Sequence, residues 1–293
     1  MARGDVVEAT ERDGALSPQK SYRTILQQEI LAGLAEVKRP PAGLFLSSFS
    51  AGLNIGFSLL LMGVATTLFG PTTEGVLKES VLAVSYAAGF ILVILGRSEL
   101  FTEHTTLAVF PVLARRASGW DLTRVWGIVL VGNMLGAFGF AVLVARLTPA
   151  LAIIEPWALE EIAYNMTRQP PWVMLASAVL AGWLMGELAW LLAASRDTIS
   201  QVVCVVIVTT LIGFTRLHHI VVGTVEVLAG VLSGDRVGLS DFARFFVVTA
   251  LGNAIGGVFF VAVIKFGHAS RYAPHETEDA EERAASRAVD STR

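Results

Sequence analysis

Long apolar runs alternate with short polar connections from residue 41 to residue 268, at about 44–69, 81–113, 122–147, 171–194, 199–231 and 242–267. A helix rising 1.5 Å per residue needs roughly 20 residues to cross a hydrocarbon layer about 30 Å thick. Four of the runs meet that length without interruption. The second and fifth are too long for one unbroken crossing and carry charged or strongly polar residues in their middles. Irregular backbone at membrane depth survives only where protein encloses it or it lines a cavity, since lipid satisfies no N–H or C=O group. The pattern therefore predicts an all-α membrane protein with six transmembrane helices, the second and fifth broken.

Composition agrees. Of 293 residues, 54% are hydrophobic and only 16% charged, against about a quarter charged in ordinary globular domains. The net charge of −3 provides no concentrated basic surface for nucleic acid. A single cysteine excludes an internal disulfide and a CxxC site, and no cofactor is expected. Residues 1–40 read as a cytoplasmic N-terminal segment. Within it, 22–37 space Ile25, Leu26, Ile30, Leu31 and Leu34 as an amphipathic helix, set along the membrane face or packed on loops. Residues 41–268 form the six-span domain, and 269–293, rich in Glu, Ala and Arg, read as a flexible cytoplasmic tail. Lys38, Arg39, Arg115, Arg116, Arg124 and Arg196 fall on one side of the membrane, which puts both termini in the cytoplasm.

The third run contains VGNMLGAFGF and the sixth LGNAIGGVFF, placing Gly132, Asn133 and Gly136 in register with Gly252, Asn253 and Gly256. Small residues at this spacing mark close helix contacts. Their recurrence in the third and sixth runs implies two halves of three spans, inverted across the membrane.

In the first interruption Arg97, Ser98, Glu99, Glu103 and His104 follow Gly96. Arg97 and Glu99 are the natural internal ion pair bracing a re-entrant loop, and Leu100, Phe101 and Thr102 place an apolar gate beside a hydroxyl. In the second, Arg216, His218 and His219 follow Gly213. Adjacent histidines point about 100° apart on a helix, so at most one is central and the other bonds to backbone or loop. No set of three or four ligands is spaced for a metal. Glu226 would share a face with His219 on a continuous helix, there to offset Arg216 or shape the inner vestibule. Glu187, a solitary acid in the fourth run, reads as functional or as a hydrogen-bonded structural acid.

GRSELFTEHT at 96–105, FTRLHHIVVG at 214–223 and the two Gly-Asn elements resemble the formate/nitrite transporter family over residues 22–268. HIVVG and GELAWLLAAS depart from the commoner family pattern and point to a divergent branch. The resemblance implies an aquaporin-like inverted repeat, a homopentamer with one pore per protomer in a bacterial inner membrane, and passage of a small monovalent anion such as formate, nitrite or hydrosulfide. By the same resemblance Thr102, Leu100 and Phe101 match the family's loop residues, and His219 matches its central histidine, with His218 the alternative register. The expected function is passage of the anion or its conjugate weak acid, with protons as possible co-substrate. His219 would supply a proton or charge-assisted hydrogen bond within apolar rings around Leu100, Phe101 and Phe214. A channel for a small neutral solute, compatible with Glu187 and Glu226, is the alternative; an intramembrane enzyme or an assembly protein are more distant ones.

Overall fold

The computed structural model describes residues 20–269. Residues 1–19 and 270–293, which hold nearly all of the expected C-terminal tail, lie outside the described residues.

Ser21 caps the first helix, α1 (Tyr22–Lys38), by accepting from the Thr24 N–H. Ile25 and Leu26 of α1 pack with Phe110 and Trp190, while Leu31 of the expected apolar stripe stays exposed. A Cβ on Gly33 would lie 2.5 Å from the Leu107 carbonyl, which fixes how closely α1 docks. Pro41 opens α2 (Pro41–Phe69), where its fixed φ suits a first helical turn. Then come α3 (Val76–Leu95), α4 (Phe101–Leu107), α5 (Val109–Leu113) and α6 (Gly119–Ala150), the last begun by a Ser118/Asp121 capping box. The connection after α6 contains α7 (Pro156–Thr167), which the hydrophobic pattern did not predict; its Ala163 packs against Gly230. The chain continues through α8 (Pro171–Ala194), α9 (Thr198–Phe214), α10 (Ile220–Ser233) and α11 (Leu239–Ile255) into a π-helical stretch, Gly256–Val263. The carbonyl of Gly257, in that stretch, accepts from the Thr106 hydroxyl. Among the described residues every regular element is helical. By length and composition α2, α3, α6, α8 and the helix from Leu239 to Ala269 are able to cross a membrane, while α9 and α10 are shorter apolar helices.

The two Gly-Asn elements make matching contacts. A Cβ on Gly136 of α6 would lie 2.2 Å from the Phe49 carbonyl of α2, and one on Gly256 would lie 2.2 Å from the Val179 carbonyl of α8. Gly132 presses on Ser48 and Gly252 on Ala178. Without a hydrophobic force between helices in lipid, such backbone approach is what holds a pair together.

The backbone leaves helical form between α3 and α4 and again between α9 and α10, through the same turn. Arg97 (φ 51°) and Arg216 (φ 52°) are left-handed, and the following N–H groups, of Ser98 and Leu217, reach back to the Val93 and Ile212 carbonyls. This is a Schellman-type stop, usually given to glycine because a side chain costs about 1 kcal/mol there.

Candidate functional site

Each break is pinned by one asparagine. Asn133 Oδ1 accepts from the Phe101 N–H, and its Nδ2 donates to the Ser48 and Glu99 carbonyls. Asn253 Oδ1 accepts from the Ile220 N–H, and its Nδ2 donates to the Ala178 and His218 carbonyls. Both side chains are buried. The helix-packing expectation was thus incomplete: the glycines bring the helices together, and the asparagine between them supplies the polar groups that a break at membrane depth lacks.

The expected Arg97–Glu99 pair does not form. Arg97 points outward on its left-handed turn. Glu99 instead meets Arg39 at 2.5 Å and His104 Nε2 at 3.2 Å. His104 Nδ1 also lies 3.1 Å from the Leu100 carbonyl, so the histidine braces the loop. Glu36, Glu99 and His104 bring ligand-type atoms within 4.8 Å of one another, yet the Arg39 guanidinium already binds both carboxylates. Arg216, which Glu226 was expected to offset, pairs with Glu79 instead. Its left-handed backbone aims it at the end of α3, away from the bundle interior.

Thr102 and His219 come together. Thr102 Oγ1 lies 2.8 Å from His219 Nε2, and both residues are buried. His219 is the N-cap of α10, with Nδ1 accepting from the Val222 N–H. That bond leaves the ring proton on Nε2, so Nε2 donates to Thr102. The hydroxyl keeps its own proton for another acceptor. The aromatic ring over His219 is Phe90, edge-on at 5.2 Å. Phe214, expected there, is exposed because the last turn of α9 faces outward. Leu100 is fully buried, and the Phe101 ring turns toward Trp126. His218 bonds Ser177 through Nδ1 and the Met166 carbonyl through Nε2, the structural partner expected of one member of the pair.

The two solitary acids part company. Glu187 pairs with Lys265 at 3.0 Å, and Lys265 also lies over Tyr22 and Trp190. A lysine from the C-terminal helix thus neutralises it beside α1, away from the Thr102–His219 pair. Glu226 is buried within α10 and lines a cavity of about 440 Å³ with Thr66, Lys78, Tyr86 and Glu161. Arg216 and the Gly70–Gly75 turn border the same cavity. It opens at the end of the bundle away from α1, the opposite end from an inner vestibule if α1 lies in the cytoplasm.

Beneath α1, Glu29 is buried with Oε2 unpartnered among the described residues. Burial, then the nearby Glu103, pushes its carboxyl from 4.5 up to about 8. Between those values the docked state holds a proton that the undocked state releases, so docking weakens as pH rises from about 4.5 to about 8. Hydrogen-exchange protection over 22–38 should fall with rising pH, by up to about tenfold per unit, and Glu29→Gln should flatten that slope.

A bundle of long apolar helices that encloses asparagine-pinned breaks and a buried Thr–His pair defines an integral membrane protein. The sequence model of the formate/nitrite transporter family matches residues 23–267, and the chain belongs to that family. It is 35% identical over 236 residues to the inner membrane protein YfdC of Escherichia coli K12, covering 79% of this chain and 74% of that protein. Its fold is similar to that of an FNT family ion channel, with a TM-score of 0.75, 20% identity and coverage of 83% of this chain and 98% of the other. A pentameric formate channel solved with formate bound is similar at a TM-score of 0.65 and 20% identity, covering 77% and 96%.

Proposed function

We propose that this protein passes a small monovalent anion of the formate or nitrite type, or its conjugate weak acid, through a path centred on Thr102 and His219. The observation that carries the reading is the 2.8 Å contact between these two buried side chains, one at each break. A bare anion entering so apolar a constriction would pay a Born cost of several kcal/mol or more. With Nε2–H donating to Thr102, the threonine hydroxyl is free to donate to the passing species, polarised by the histidine behind it. An accompanying proton neutralises the charge. Phe90 and Leu100 exclude water around the pair.

In this reading α3 with α4–α5 is the second span and α9 with α10 the fifth, completing six spans in an inverted repeat. The matching turns at Arg97 and Arg216 and the matching bonds of Asn133 and Asn253 support it. The protein assembles as a pentamer, like the similar formate channel, in a bacterial inner membrane, like YfdC, with both termini cytoplasmic as the Lys and Arg bias directs. The test is uptake of formate, nitrite, acetate and lactate into proteoliposomes with and without an inward proton gradient. Uptake of at least one acid that rises with the gradient is expected. Failure of all four, with osmotic swelling by a small neutral solute, would establish the neutral-solute channel instead.

A further inference from the structure

The outer cavity contains more than a passage needs. Glu226 on α10 is 2% exposed and makes no hydrogen bond or ion pair with any described residue. Thr66 Oγ1 on α2 is buried and unpartnered among the described residues. Tyr86 on α3 is buried too, and its hydroxyl has no hydrogen-bond partner among them. All three line the same cavity, and Thr66 Oγ1, the enclosed unpartnered atom of the three, costs free energy unless something bonds it. Tyr86 also stands on the route inward: its ring lies 5.4 Å from Phe90, which lies 5.2 Å from His219.

The charges around the cavity limit what fills it. Lys78 of α3 faces Glu161 of α7 at 3.6 Å, and Arg216 binds Glu79. Glu74 and Arg168 border the mouth. These six balance, and α2, through Thr66, adds no charge. Neither α6 nor α11, also packed against α10, puts a titratable side chain into the lining. Glu226 is therefore the charge that tips the site: ionised, it leaves the cavity negative and repels an anion. Two carboxyl groups at close range do not both ionise, so they hold one proton between them.

We propose that this cavity is an outer binding site for a weak acid, held by one proton shared with Glu226 while Tyr86 and Thr66 donate to its other oxygens. The proposal rests on the transport reading above and adds the form in which substrate is admitted. No bond other than hydrogen bonds is made or broken, and the proton leaves with the acid toward His219.

The test measures half-saturating formate for uptake by the full-length protein in liposomes, from about pH 5.5 to about pH 7.5. In the parent it should rise with pH, by up to about tenfold per unit, as the shared proton becomes scarcer. In Glu226→Gln it should be nearly independent of pH. The same rise in both proteins would overturn the proposal, as would uptake of methylammonium by the parent that Glu226→Gln abolishes, since Glu226 would then serve a cation. If Glu226→Gln does not fold, Thr66→Val with Tyr86→Phe decides: half-saturation raised several-fold at both ends of the range supports the site, and an unchanged value overturns it. A parent that takes up no acid at all would instead refute the transport reading.

Discussion

His219→Ala is expected to lower proton-driven uptake of formate by about tenfold, the rate equivalent of losing the hydrogen bond of roughly 1.5 kcal/mol by which Nε2–H polarises the Thr102 hydroxyl. The same substitution removes the cap that accepts from the Val222 N–H, which costs about 1 kcal/mol of helix stability. His219→Asn separates the two effects, because asparagine is a good N-cap but lacks the imidazole. It should keep the start of α10 and still lose uptake. Thr102→Val, nearly isosteric but without the hydroxyl, should lose uptake to a similar degree. Initial rates of labelled formate entry across a pH series provide the measurement, and parental rates in both His219→Ala and Thr102→Val would discard the proposed path.

Asn253→Leu should cost most in stability. It strands the Ile220 N–H and the His218 carbonyl at the break, and removes a second bond from the Ala178 carbonyl, which keeps its own helical partner. Each buried group left unpaired costs about 1–3 kcal/mol. Two together are a large fraction of the stability of a typical domain. A fall in melting temperature of roughly 10 °C or more is expected, with loss of a single oligomeric peak in detergent. Asn133→Leu should do the same, since it strands the Phe101 N–H and the Glu99 carbonyl and takes a second bond from the helical Ser48 carbonyl. A variant that melts with the parent would mean that the break is held by packing alone.

Both predictions concern residues visible in the sequence, though not for the reason the structure supplies. Asn133 and Asn253 stood out by their repeat, and small residues beside them made helix contact the natural reading. Their three bonds each join segments that only the folded bundle brings together. His219 and Thr102 stood out by their polarity at membrane depth and by resemblance, while their contact spans 117 positions of chain. Phe214 was misplaced because an aromatic near a histidine in sequence need not face it: the ring that does, Phe90, belongs to another helix. The helix α7 escaped notice because it is short, mixed in polarity and bounded by prolines.

The sequence by itself determined where the apolar runs lie, where polar residues interrupt two of them and that the Gly-Asn element recurs. Hydrophobic period, scarce charge and recurrent glycine are local properties, legible along a single strand of chain. Only the tertiary structure decided the partners. Glu99 has Arg97 two residues away yet binds Arg39, 60 positions off, and Arg216 binds Glu79 across 137. In a low-dielectric interior a charge needs a partner in contact, and contact is set by which helix faces close on one another, not by distance along the chain.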